Sequence, residues 1–230
     1  LMSLPNISEY KQRLESHFKA NVLLTNDAEL ALYSVIKDKY QEGILVLSGT
    51  GSAIIGYNQE PHLVGGWGHL LTEVGSAFSV VRTLVVNAIK LYEEKRIVSE
   101  LTKDFINHLQ LKRIEEFRIF MYKNSKREIA SHASFINEAA NSGNSEAIAL
   151  LKAEARKSAI DVRNAKRIAN LSANAVIGFR GGFISNSEIF KQELMLSLQE
   201  MGLAFIFENY EEVDPIFGGY YYAKREGWLC

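Results

Sequence analysis

Leu45-Val-Leu-Ser-Gly-Thr-Gly-Ser52 decides how this chain is read, together with Gly65-Gly-Trp-Gly-His69 and Glu73-Val-Gly-Ser76 that follow it. An apolar run ends abruptly in glycines and hydroxyls. A strand running into a turn with Gly49 and Gly51 leaves backbone N–H groups free to face an anion. The hydroxyls of Thr50 and Ser52 add donors to the same anion. The same four residues also suit a plain hairpin turn. A second glycine-rich turn, about fifteen residues on, carries Trp67 and His69. Two close-set turns of this kind suggest a phosphate-handling cleft beside a substrate pocket.

The bulk composition sets bounds around these turns. A chain of 230 residues, 47% hydrophobic and 23% charged, has enough apolar material for one sizeable core and is not disordered. The net charge of −1 provides no global field to recruit nucleic acid or an acidic membrane. The pairs Lys95-Arg96, Lys112-Arg113, Lys126-Arg127 and Lys166-Arg167 are interleaved with acids and read as solvated helix faces. The single cysteine, Cys230, cannot form an intrachain disulfide, which fits a reducing cytoplasm. It also excludes a cysteine-ligated iron–sulfur cluster or thiolate zinc site. No apolar run approaches a membrane span, and Leu1-Met-Ser-Leu-Pro5 lacks the pattern of a signal peptide. A leucine ahead of Met2 suggests a piece of a longer chain.

Periodicity predicts a helix over Ile7–Phe18 capped by Ser8, a buried strand over Asn21–Thr25 and a helix over Ala28–Lys39 stopped by Gly43. Ile44–Ser48 and Ser52–Tyr57 form a hairpin, and Asn58–His62 a second turn containing Pro61. From Ser76 the pattern is helical for about a hundred residues, opening on the stripe Phe78, Val81, Val85, Ile89 and Tyr92. Helices over Ile114–Tyr122 and Ile129–Ala140 follow. After Gly143-Asn144 comes a long helix facing Ile148, Leu151, Ala155, Ala159, Val162 and Ala169 inward. Strand character returns at Ala175–Arg180. A helix capped by Asn186 or Ser187 then runs to Met201, a strand covers Leu203–Glu208, and a last helix follows Pro215. The order implies α/β layering with a large helical insertion.

These residues resemble, in order, the second half of the N-acetylglucosamine kinases and the related BadF/BadG/BcrA/BcrD ATPase family, of the sugar kinase, heat-shock chaperone and actin superfamily. Thr25-Asn-Asp27-Ala resembles the segment with the catalytic aspartate, and Ser48-Gly-Thr-Gly-Ser52 the second phosphate loop. Gly65-Gly-Trp-Gly-His69-Leu-Leu resembles the sugar-contacting turn. Phe135-Ile-Asn-Glu-Ala139 with Gly143-Asn-Ser-Glu-Ala147 resembles a helical nucleotide-side segment, and Phe179-Arg-Gly-Gly182 with Ser185-Asn186 the adenosine motif. Two departures stand out. Nothing upstream of Asp27 resembles the family's first phosphate hairpin. Thr72-Glu73-Val74 stands where the family has Gly-Asp-Glu.

The resemblance implies an α/β, ribonuclease-H-like (actin-like ATPase) second domain with a mixed sheet and a helical insertion over about 76–172. Residues 1–27 would then be the tail of a missing N-terminal domain and 28–230 the C-terminal ATPase domain. It implies ATP-dependent phosphorylation of an amino sugar, with Mg²⁺ held mainly through phosphates and water. Asp27 is the implied base; the residues alone equally allow a helix N-cap. Gly49, Thr50, Gly51, Ser52, Gly181, Gly182 and Asn186 are the implied nucleotide ligands, although Gly181-Gly182 with an Asn cap is also an ordinary strand-to-helix turn. Gly66, Trp67 and Glu73 are the implied sugar ligands; Trp67 alone would suit a core, and His69 orients the turn. His17, His62, His108 and His132 read as ordinary. The Phe78–Tyr92 stripe and Tyr220-Tyr-Tyr222 leave room for a homodimer. On this reading the chain, probing a cytoplasmic amino sugar with half a phosphate clamp, is inactive alone. The other reading is a non-catalytic half that binds a nucleotide or sugar; an iron–sulfur ATPase activator is ruled against by the cysteine count.

Overall fold

The computed structural model describes residues 6–207 and 214–228; Glu208 and Cys230 lie outside them. A five-stranded sheet has the order β3-β2-β1-β4-β5. Its strands are β1 (Glu42–Ser48), β2 (Ser52–Asn58), β3 (Glu60–Gly65), β4 (Val176–Arg180) and β5 (Ile206–Phe207). β1, β2 and β3 form an antiparallel meander, whereas β1–β4 and β4–β5 pair in parallel. The sheet is therefore mixed, and β1 is its central strand.

Both faces of β1 are covered, which is why it reads as a continuous apolar run rather than an alternating one. Ile44, Val46, Ile54 and Ile177 face the larger core, formed with α3 (Ala77–Lys95) and α8 (Ser145–Ile168). Leu45, Ile55, Tyr57 and Val176 face a smaller core with α2 (Asp27–Ile36), on which α11 (Phe217–Arg225) packs. Close approach relies on small residues. A Cβ on Gly56 would lie 2.9 Å from the Ala165 carbonyl oxygen of α8, and one on Gly218 only 1.7 Å from the Leu30 carbonyl oxygen of α2.

Between β3 and β4 lies a helical block: α3, α4 (Glu100–His108), a 3₁₀ turn (Ile114–Glu116), α5 (Phe117–Lys123), α6 (Lys126–Ser131), α7 (Ala133–Asn141) and α8. Asn144 caps α8 by accepting from the amides of Glu146 and Ala147. The stripe Phe78, Val81, Val85 is buried in the core, with Ile89 and Tyr92 packed against it, so this stripe is spent within the molecule. Tyr222 likewise stacks on Tyr33 at 4.4 Å.

Several expectations need correction. α1 (Ile7–Phe18) begins at Asn6, and Ser8 is not its cap. Asn21–Thr25 is not a strand: the run is only partly buried, and no strand of the sheet pairs with it. Helix α2 stops at Ile36, where Lys37 takes a left-handed φ of 54°, and Gly43 is a strand residue. Pro61 and His62 belong to β3, an edge strand on which proline is tolerated, so the turn contracts to Gln59. Neither Asn186 nor Ser187 caps the helix α10 (Glu188–Glu200) with its side chain.

Candidate active site

The parallel pair β1–β4 fixes where the site lies. Leu47 pairs with Arg180, so both strands end at one edge, and each runs directly into a glycine turn. The crevice beyond the carboxyl ends of parallel strands is the usual ligand site of such sheets. Gly181, with φ 116°, presses on the first turn: a Cβ there would lie 2.4 Å from the Ser48 carbonyl oxygen and 2.9 Å from the Gly49 nitrogen. Only glycine allows this approach. Gly49, Thr50, Gly182 and Asn186 then line one cleft of about 580 Å³, opposite Ser134, Asn137 and Glu138 of α7. Asn186 sits in α9 (Gly182–Asn186), where its amide donates to the Gly182 carbonyl at 2.7 Å. No side chain fills the space beside Gly182.

The phosphate-loop candidate is held by its own hydroxyls and carbonyls. Ser48 Oγ donates to the Gly75 carbonyl at 2.6 Å, and Ser52 Oγ donates to the Val74 carbonyl at 2.7 Å. The Gly49 amide donates to the Gly51 carbonyl. The carbonyls of Gly49 and Thr50 accept from the Ala77 and Phe78 amides that open α3. Ser52 thus spends its hydroxyl proton on fixing the loop to residues 73–76, in place of the donation to an anion expected from sequence. Thr50 is exposed toward the cleft.

The 73–76 turn is anchored from below by Glu154 of α8, which is 1% exposed. Its carboxylate accepts from the Gly75 amide (3.2 Å), from Ser79 Oγ and from Thr83 Oγ1 (3.0 Å), and pairs with Lys157 (2.7 Å). Burial works to raise its pKa, but Lys157, Ser79 and the Gly75 amide together hold it below the ordinary carboxylate range. A Cβ on Gly75 would collide with Ser158 Oγ, so this glycine lets the turn lie flat on α8.

Glu73 extends from this turn toward the Gly49–Ser52 loop. A Cβ on Gly51 would lie 3.0 Å from both of its carboxylate oxygens. Lys126 reaches Glu73 Oε2 at 2.6 Å, but not along a hydrogen-bonding direction, which leaves Oε2 a buried acceptor without an aligned donor. Gly66 follows β3 and lies beside Ala53, at the start of β2, so the second glycine turn adjoins the Gly49–Ser52 loop. Trp67 is 73% exposed and Leu70 85%, so Trp67 is no core residue. His69 packs edge-on against Phe78, orienting the turn.

Asp27 begins α2, but the cap is Asn26, whose Oδ1 accepts from the Glu29 amide at 2.8 Å. Asp27 Oδ1 accepts from the adjacent Ala28 amide, and the side chain is exposed. Ile36 lies against Gly43, at the start of β1, so α2 runs back along the strand and its first turn points toward the end where β1 meets Gly49.

Two sets of residues escaped the sequence reading. Lys126 is not a free solvated side chain but is paired with Glu73, while Arg127 is exposed as expected and lines the cleft with Gly49 and Thr50. A clue was available, since two cations in the first turn of a helix oppose its dipole. His108 and His132 also meet, with Nε2 and Nδ1 2.9 Å apart, within a cluster containing Phe105, Phe120 and Phe135. Nothing in their spacing announced it.

Among known proteins, the chain is 28% identical over 221 residues to the N-acetylmuramic acid/N-acetylglucosamine kinase of Clostridium acetobutylicum, covering 91% of this chain and 69% of that enzyme. A protein provisionally named N-acetylglucosamine kinase from Chromobacterium violaceum superposes with a TM-score of 0.65 at 17% identity, over 94% of this chain and 72% of its own. A ROK family glucokinase from Streptomyces griseus, solved with glucose and AMPPNP, superposes with a TM-score of 0.53 at 15% identity, over 94% and 72%. No family model matches the chain. The fold is that of the actin-like ATPase sugar kinases.

Proposed function

We propose that this chain is the larger, C-terminal part of an ATP-dependent amino-sugar kinase of the BadF/BadG/BcrA/BcrD type, acting on N-acetylglucosamine or a relative such as N-acetylmuramic acid. One observation carries the reading. The Gly49–Ser52 loop, the Gly181-Gly182 turn and the Trp67 turn converge on a single edge of the sheet, and α2 runs so that its first turn points toward that edge. The sugar-kinase fold and the named Clostridium relative support it.

The chemistry asks mainly for positioning and charge stabilisation. The backbone at Thr50 and Gly51 faces the outer phosphates, the Gly49 amide being spent on the Gly51 carbonyl, and Gly181, Gly182 and Asn186 take the adenosine end. Magnesium, when bound, neutralises phosphate charge and is held by phosphate oxygens and water. Gly66 offers backbone groups and Trp67 an aromatic face to the sugar. Glu73, whose Oε2 is paired with Lys126, is a carboxylate that can accept from a sugar hydroxyl. Because Asn26 caps α2, the Asp27 carboxylate is available to accept the proton of the attacking hydroxyl. The edge forms one jaw, and a companion domain supplies the opposing phosphate hairpin. The 230-residue chain alone therefore turns over little or no substrate, and the intact enzyme works in the cytoplasm.

The test joins this chain to its companion domain and measures ADP release with a panel of amino sugars. Sugar-dependent release that falls at least about 100-fold in Asp27→Asn supports the reading. No sugar-dependent release, or release unchanged by Asp27→Asn, overturns it. Calorimetric binding of ATP or sugar without any turnover favours instead a non-catalytic binding half.

A further inference from the structure

Lys126 occupies a place that its own helix does not explain. It opens α6 beside Arg127, where the helix dipole favours acids. The needs of that helix end are already met by the capping box of Ser125 and Glu128. Its ammonium instead crosses from the helical block to the sheet edge. It lies 2.6 Å from Glu73 Oε2 and, equally, 2.6 Å from where a Cβ on Gly51 would stand. The cation and the Glu73 carboxylate therefore rest side by side against the backbone of the loop at Gly51.

An ammonium carries three donors and no acceptor. The single carboxylate contact, Glu73 Oε2 at 2.6 Å, leaves donors to serve other acceptors. A triphosphate on Gly49–Gly51 would bring oxygens to this point. Without a cation there, those oxygens and the Glu73 carboxylate would repel each other across the loop.

We propose that Lys126 bridges the two halves of the site, binding an outer phosphate oxygen of the nucleotide while holding Glu73 for the sugar. This rests on the amino-sugar kinase reading above. One ammonium then links both ligands: each tightens the binding of the other, by the same factor in both directions. It also ties the helical block to the site, since α6 carries Lys126 to the edge of the Gly49–Ser52 loop.

The experiment is calorimetry on the full-length protein with adenylyl-imidodiphosphate and N-acetylglucosamine, each alone and with the other saturating. In Lys126→Met, nucleotide affinity falls about 10- to 100-fold, the loss of one hydrogen bond to a charged group, and the coupling between ligands disappears. Lys126→Arg restores much of both. In Glu73→Gln, nucleotide affinity stays equal or improves while sugar affinity falls. If Lys126→Met weakens the sugar alone, Lys126 merely positions Glu73 and the proposal is overturned. Should the methionine variant not fold, amine acetylation of the wild type mapped by mass spectrometry decides. Nucleotide slows labelling at Lys126 relative to Lys123, and equal labelling with and without nucleotide overturns the bridge. A wild type that binds neither ligand brings down the kinase reading itself; one that binds both, with Lys126→Met unaltered, brings down only the bridge.

Discussion

The glycine turns ending β1 and β4 and the glycine turn after β3 are alike in composition and opposite in packing. Gly181 lies against the Ser48 carbonyl and the Gly49 amide so closely that no Cβ fits. Around Gly65 and Gly68, by contrast, a Cβ would meet nothing within 4 Å, and Trp67 and Leu70 stand in solvent. The first region is finished within this chain, stitched by Ser48, Ser52 and Glu154. The second offers an uncovered surface. Packing of this kind separates a rigid pair of touching turns from an open one.

Putting the same methyl group in both regions should separate them most strongly. Gly181→Ala should destabilise the fold by about 3 kcal/mol or more, lowering Tm by roughly 6–12 °C, because overlap adds to the strained φ of 116°. Gly68→Ala, with φ 98° but open space, should cost about 1 kcal/mol. Equal melting temperatures for the two variants would erase the distinction.

Glu154→Gln comes next. It removes a buried charge that Lys157 balances and that the 73–76 turn uses, for a loss of about 2 kcal/mol by denaturant titration. The pH dependence has a defined sign. Folding lowers the Glu154 pKa below 4.5, so its contribution is fully present above that value and is lost as pH falls through the folded-state pKa. The variant should lack this part of the acid limb; an identical acid limb would remove Glu154 as the anchor. Ser48→Ala removes a buried 2.6 Å hydrogen bond to the Gly75 carbonyl, and about 1.5 kcal/mol is expected.

Trp67→Ala has the smallest expected effect on stability, within about 0.5 kcal/mol of wild type, because the ring is exposed. Its KM for the sugar should still rise several-fold if the open turn holds substrate. A large loss of stability would show that the ring is packed and the turn is not open.

The strands and turns legible in the sequence were those with local causes. The apolar run into Gly49-Thr-Gly51 made β1 and its turn, and Gly143-Asn144 marked the break between α7 and α8. Asn21–Thr25 failed because a run of apolar residues makes a strand only where another backbone pairs with it. β3 was missed because Pro61 reads as turn chemistry, although an edge position tolerates it. Ser52 was legible as a loop hydroxyl, but its direction, toward the Val74 carbonyl, depends on a turn more than twenty residues away.

The glycine and hydroxyl turns, the apolar strands between them and the long alanine-rich helix are all legible along the chain, since each follows from local conformational freedom and periodicity. Only the tertiary structure decided that the Gly49 and Gly181 turns touch, that Glu154 anchors Gly75, and that Lys126 meets Glu73 beside Gly51. Those contacts join residues far apart in the chain. They depend on parallel pairing of β1 with β4 and on how the helical block packs back over the sheet edge, and no local pattern encodes either distance.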